Sequence, residues 1–268
     1  MRSHFSLNQA GFRRDLSRFV VFLLGVVGLV LTSGCSLLVR PTTTPITTKW
    51  IRLNPEKQAD TLVLFLPGRG SVMSEFEDNG FVDTLRRAGV HADVVITDAH
   101  LGYYMNRTVI DRLAADVLEP ARARGYQRIV SVGISLGGLG ALLCQRDQPQ
   151  SLDAIVLMAP YLGDQKSLFR DIDAAGGPAL WAKNRPLRGG EVDEQIWTYL
   201  GQHANELPPT WLASGREDRL AKGQNMLATL LPANRVLTIE GRHTWKTWRA
   251  LWTKICEESE VFAVEKRG

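Results

Sequence analysis

The sequence predicts an α/β fold: a mostly parallel central sheet flanked by helices on both faces, with a small helical insertion. Three observations predict it. Short runs of β-branched and other apolar residues recur along the chain, apolar throughout rather than alternating, as strands buried on both faces are. Stretches with the spacing of amphipathic helices separate them, and parallel neighbours need such crossovers. One run ends in Gly133-Ile134-Ser135-Leu136-Gly137 and passes at once into a helix pattern rich in small residues.

At 268 residues, 44% hydrophobic and 22% charged, the chain can build one large core. Most of its formal charge of +4 belongs to residues 1–34, where Arg2, Arg13, Arg14 and Arg18 stand against Asp15. No basic stripe with interleaved aromatics follows, so no nucleic-acid partner is expected. A basic stretch ending at Arg18 leads into the apolar run Val20 to Leu31, then Thr32-Ser33-Gly34-Cys35. That run is short for a membrane span and unpunctuated for a soluble helix, which is the profile of a signal peptide. Residues 1–34 are therefore expected to be a signal, with an uncleaved anchor helix as the alternative. Either arrangement ties the body to a membrane outside the cytoplasm. Residues 35–49, with Pro41 and Pro45 among threonines, are expected to form an extended tether.

The folded domain is expected over 50–262. Thr61–Leu66 reads as a buried strand and Ser74–Ala88 as a helix. Ala92–Thr97 is the next strand, followed by a helix from about Val109 to Arg124. Arg128–Val132 is the strand before Ser135, and the helix after it begins at Leu136. Asp153–Met158, Thr210–Ser214 and Arg235–Glu240 are three further strands, and helices follow the last two. Between them the pattern breaks over about 160–208, with aromatic stretches around Tyr161, Trp181 and Trp197-Tyr199. That segment exceeds an ordinary crossover and is expected to be a helical cap. Cys144 and Cys256 fall at apolar helix positions and are expected as buried free thiols. No His/Cys spacing suggests a metal site, and no cofactor is expected.

In such a sheet, ligands bind beyond the carboxyl ends of the strands, so the chemistry is sought just after each one. Ser135 follows a strand on a turn so sharp that its neighbours at both sides must be glycine, here Gly133 and Gly137. A serine hydroxyl needs a general base to attack a carbonyl. Of the five histidines, His243 lies just after the last strand, and it follows both serine and acid in chain order. Asp218, after the strand 210–214, is the expected acid that orients the imidazole. Its neighbour Glu217, and Asp164 after the strand 153–158, are the alternatives. Two backbone N–H groups are needed to hold an oxyanion. Leu136 supplies one, and Arg69 in Pro67-Gly68-Arg69-Gly70-Ser71 is expected to supply the other. In Asp98-Ala99-His100-Leu101-Gly102-Tyr103-Tyr104, His100 and Tyr103 are expected to bind substrate, although the same aromatics fit a core equally well.

Leu66-Pro67-Gly68-Arg69-Gly70, the order of serine, acid and histidine, and Gly241-Arg242-His243-Thr244-Trp245-Lys246-Thr247-Trp248 together resemble the α/β-hydrolase superfamily, and its esterase-type members in particular. The resemblance spans roughly residues 50–258. Pro67 stands where that family usually has histidine, and Arg242 where it has glycine; neither departure removes the Arg69 or Leu136 amide. The resemblance implies the α/β-hydrolase fold and a carboxylesterase-like serine hydrolase acting on a small-molecule acyl substrate through an acyl-enzyme. A thioesterase, peptidase or acyltransferase would use the same groups. A non-catalytic binding module on this fold is the alternative from another class. Thr32-Ser33-Gly34-Cys35 resembles the lipobox of bacterial lipoproteins, with Thr32 where leucine is preferred. It implies cleavage before Cys35 and lipidation of that thiol. Ser36 implies, by resemblance to Gram-negative lipoproteins, the periplasmic face of the outer membrane.

Overall fold

A computed structural model describes residues 39–262; the leader and Cys35 lie outside the described residues. Among these residues, seven strands form one sheet in the order β1-β3-β2-β4-β5-β6-β7. They are β1 (Thr48–Arg52), β2 (Thr61–Leu66), β3 (Asp93–Thr97), β4 (Arg128–Ile134), β5 (Ala154–Met158), β6 (Thr210–Gly215) and β7 (Val236–Ile239). All pairings are parallel except β1 with β3. Parallel neighbours oblige the chain to cross back between strands, and the helices that carry it cover both faces.

Alternation along β2 shows how the two faces are filled. Leu62, Leu64 and Leu66 point into one core, and Val63 and Phe65 into the other. The second core is an aromatic knot around Phe65, Phe76, Phe81 and Trp252, with ring centroids 4.7–5.9 Å apart. Burying Trp252 there requires a partner for its indole N–H, which Phe81's carbonyl accepts at 2.9 Å. The residues come from β2, from α1 (Ser74–Asp78) and α2 (Phe81–Arg87), and from the last helix, α10 (Trp245–Glu258). The first core gathers α3 (Leu101–Met105), α4 and α5 (Leu136–Asp147). Helix α4 runs as Val109–Leu113, a π-helical turn Ala114–Leu118, then Glu119–Ala123. Pro120 has no N–H to donate to the preceding turn, and the widened turn lies just ahead of it.

The segment expected as one helix over 74–88 is two. Asn79 ends α1, and Gly80 takes a left-handed φ of 75° that turns the chain into α2. The cap is helical, with α6 (Lys166–Ala174), α7 (Pro178–Ala182) and α8 (Val192–His203), while α9 (Ala221–Ala228) follows β6. Trp197, on α8, is fully buried and gives its N–H to Leu162's carbonyl at 2.8 Å. Cys144 and Cys256 are buried and free. No helix among the described residues is long and apolar enough to cross a membrane.

The expected tether ends earlier than its predicted boundary at 49. Thr48 and Lys49 belong to β1, an edge strand too short and too charged to stand out in the sequence. Ahead of it, Ile46 is buried and its N–H meets Asp116 Oδ2 at 2.8 Å. Tyr103's hydroxyl donates to the Thr43 carbonyl and accepts from the Thr43 N–H, both at 3.0 Å. Residues 43–47 are thus a strap laid on the first core. Tyr103→Phe keeps the ring packed and removes these bonds together with the hydroxyl's contact to Thr43 Oγ1 at 3.1 Å. It is expected to cost about 1 kcal/mol, a fall in Tm of roughly 2–4 °C for a domain this size, read by thermal unfolding. An unchanged Tm would show that the strap adds nothing to the body.

Candidate active site

Ser135 is the single residue between β4 and α5, with φ 52° and ψ −111°, a conformation that costs a non-glycine residue energy. Backbone hydrogen bonds hold it there. Its N–H donates to Met158's carbonyl at 2.9 Å, and its own carbonyl accepts from Tyr161 at 2.9 Å and Gly138 at 3.0 Å. The glycines are required by close approach. A Cβ on Gly133 would lie 2.3 Å from Gly137's carbonyl oxygen, and one on Gly137 would lie 2.1 Å from that of Leu66. Further along α5, a Cβ on Gly138 would meet Pro160 at 2.8 Å, and one on Gly140 the Tyr104 hydroxyl at 2.3 Å. The small-residue face of this helix lets it sit directly on the strand ends, which fixes where Ser135 projects.

His243 and Asp218 come from the loops after β7 and β6. The imidazole Nε2 is 3.0 Å from Ser135 Oγ, and Nδ1 is 2.8 Å and 3.0 Å from the two carboxylate oxygens of Asp218. The Asp218 side chain is fully buried and that of His243 is 10% exposed, so water competes little for these contacts. An ionised carboxylate only accepts, which puts the imidazole proton on Nδ1 and leaves Nε2 bare toward the serine hydroxyl. That is the tautomer a general base requires. Asp218 Oδ1 also accepts the N–H of Leu220 at 2.8 Å.

The two loops are laced to each other. Arg216 donates to Ile239 at 2.9 Å and Glu217 to Gly241 at 3.0 Å, and a Cβ on Gly215 would lie 2.2 Å from Gly241's carbonyl oxygen. Trp248 presents its ring at 90° to His243, 5.0 Å between centroids, and walls the imidazole on one side. Of the alternative acids, Glu217 is exposed and paired with Arg242, and Asp164 is exposed on the cap side. Neither touches His243.

Leu136 opens α5, where a helix leaves its first N–H groups without intrahelical partners. The loop 67–71 runs beside it, since a Cβ on Gly68 would stand 3.5 Å from Ser135 Cβ. Arg69, whose amide is the second expected oxyanion donor, follows Gly68 in that loop. His100 and Tyr103, expected to bind substrate, are both buried. His100 is buried and caps α3, its Nδ1 accepting the Gly102 N–H at 3.1 Å, and Tyr103 is buried beneath the strap. The Tyr103 hydroxyl is held by Thr43 of the strap.

Tyr161 and Asp193 were not singled out individually as site residues from the sequence. Tyr161 directly follows β5 at its ligand-binding end, the one signal that pointed to it. Its hydroxyl donates to Asp193 Oδ2 at 3.4 Å. Burial, with the Asp193 and Asp164 carboxylates nearby, pushes the phenol up to about 12 against the opposing field of Arg69. Burial, then repulsion from Asp164, raises Asp193 above the usual carboxylate range. Among the described residues, no three His, Cys, Asp or Glu side chains converge to hold a metal ion.

Residues 95–257 match the family model Esterase, described as "Putative esterase". Among solved structures, the chain is similar to Est1E from Butyrivibrio proteoclasticus, at 14% identity and TM-score 0.53, covering 80% of this chain and 92% of that one. It is also similar to a monoacylglycerol lipase from Paleococcus ferrophilus, at 14% identity and TM-score 0.51, covering 80% and 99%. A peroxisomal alpha-beta-hydrolase from Saccharomyces cerevisiae aligns at 16% identity and TM-score 0.50, covering 79% and 80%. These likenesses show the α/β-hydrolase fold. A search of curated proteins finds no match.

If only the carboxylate on Nδ1 matters, Asp218→Asn should lower kcat on a p-nitrophenyl ester by roughly 10⁴-fold, the scale of such triads. Glu217→Gln and Asp164→Asn should stay within about threefold of the parent, as expected of exposed charges. A larger loss from Asp164→Asn would move the acid to the loop after β5.

Proposed function

We propose that this chain, which belongs to the Esterase family, is a serine hydrolase that cleaves a carboxylic ester through an acyl-enzyme. The observation that carries the reading is the unbroken line of contacts from Asp218 through His243 to Ser135 Oγ. Ser135 Oγ attacks the ester carbonyl carbon while its proton passes to His243 Nε2. Asp218 holds the imidazole and stabilises the imidazolium that forms. The Leu136 and Arg69 amides receive the negative oxygen of the tetrahedral intermediate, which is where such donors contribute most. The intermediate collapses with cleavage of the ester C–O bond, and the leaving alcohol takes the proton from His243. Water then attacks the acyl carbon with His243 again as base. The acid leaves, and Ser135 recovers its proton.

Ser135 should therefore label with a fluorophosphonate, whose phosphorus the same Oγ attacks. Ser135→Ala should lose the label and the ester hydrolysis while keeping the parent's thermal unfolding. Labelling that survives the substitution would place the nucleophile elsewhere, and a folded parent that neither labels nor hydrolyses would make the fold a binding module.

The reading extends to the compartment. Cleavage before Cys35 and acylation of its thiol would tether the body to the periplasmic face of the outer membrane, supported by the apolar run Val20 to Leu31 and by Cys35-Ser36. A single acyl chain holds only marginally, so stable attachment needs two or more. The intact mass of the membrane form should correspond to a lipidated chain starting at Cys35, and Cys35→Ser should accumulate the precursor. An unprocessed parent of 268 residues would instead identify an uncleaved anchor helix.

A further inference from the structure

Beside the acid lies a cavity of about 490 Å³, between the loop after β5 and the start of α9. Backbone N–H groups in and near its wall bond to two residues of the candidate active site. Leu220 in its wall gives its N–H to Asp218, and Tyr161, two residues ahead of the lining Gly163, gives its own to the Ser135 carbonyl. Phe169 and Leu220 form an apolar part of the lining, and Gly223 packs under Phe169.

The charges in the lining are unbalanced. Lys166, Arg170, Arg219 and Lys222 face two carboxylates. Asp173 is taken by Lys222 in an ion pair. Asp164 turns to the Tyr161–Asp193 pair, where it gives its backbone N–H to Asp193 and raises both groups. The side chains of Lys166, Arg170 and Arg219 make no hydrogen bond or ion pair with any described residue. Their placement also works against the local structure. Lys166 and Arg170 are like charges at i and i+4 of α6, a pairing that destabilises a helix. Lys166 moreover opens α6, where the helix dipole disfavours a cation. An anion between α6 and Arg219 would relieve both costs.

We infer that the hydrolase takes esters carrying a negative charge, with the anionic end against Lys166, Arg170 and Arg219. The apolar part of the substrate then lies on Phe169 and Leu220, and the ester reaches Ser135. This inference rests on the hydrolase reading given above.

Two matched ester pairs test it. p-Nitrophenyl hemiglutarate against p-nitrophenyl pentanoate puts the charge on the acyl side, and para-acetoxybenzoate against its methyl ester puts it on the leaving side. In at least one pair the anionic ester should have the higher kcat/KM. The anionic-to-neutral ratio should fall about two- to fivefold in each of Lys166→Gln, Arg170→Gln and Arg219→Gln. Raising the salt should lower it in the parent, because exposed charges are screened. Turnover of the neutral esters with no anionic preference in either pair, or a ratio indifferent to all three substitutions, overturns the inference and leaves the hydrolase reading standing. No turnover of any ester, with no fluorophosphonate label on Ser135, overturns the hydrolase reading and this inference with it.

Discussion

Everything at the carboxyl end of this sheet depends on one steric constraint: the backbone of α5 lies against the ends of β2 and β4 with no room for a side chain between them. Gly133 and Gly137 fill the positions where a Cβ would fall 2.1–2.3 Å from a carbonyl oxygen. That contact forces Ser135 into its strained conformation, and the bonds to Met158 and Tyr161 keep it there. The strain is held by rigid elements on three sides rather than by the serine's own preferences. The same tight packing sets the start of α5 against the end of β2 and brings Gly68, in the loop that follows, beside Ser135.

The other two members of the proposed triad are secured differently. His243 and Asp218 stand on loops, and loops alone seldom hold side chains to fractions of an ångström. Here the loops brace each other through the bonds of Arg216 and Glu217 to Ile239 and Gly241, and through the missing side chain of Gly215. Asp218 can be fully buried because each of its oxygens has a donor, the imidazole on both and Leu220 on one. A buried carboxylate with those contacts is a strong orienting group; the exposed Glu217 beside it is not.

How much of this was legible in the sequence follows from which interactions are local. Five of the parallel strands, β2 to β6, were visible because strands buried on both faces are largely apolar, and Thr61–Leu66 was read to the residue; β7, half-buried at the edge, was visible from its apolar run. Ser135 was visible because its glycines are fixed by contacts within a few residues. The break at Asn79-Gly80 was missed because apolar residues resume at once with Phe81 and Val82 and no proline marks it. β1 and the strap were missed because their partners, Thr97, Tyr103 and Asp116, are distant in the chain. Choosing Asp218 over Glu217 required the register of the loop after β6, which Gly215 sets against Gly241, and chain order alone could not supply that.

The architecture separates the proposed chemistry from the proposed selectivity. Ser135, His243 and the amide donors rest on the sheet, α5 and the aromatic wall at Trp248, all deeply packed. The cavity cations rest on α6 and on the surface end of the loop after β6, where they are exposed and cost the fold little to change. Tyr161 and Asp193 join the two parts: one follows β5 beside Ser135, the other opens α8, and Gly163 lies so close that a Cβ there would meet Asp193 Oδ2 at 2.7 Å. A cap fastened at that point can vary its outward charges without disturbing the serine. The proposed selectivity, carried by Lys166 and Arg170 on α6 and by Arg219, thus rests on elements separate from those that hold the groups proposed to break the ester bond.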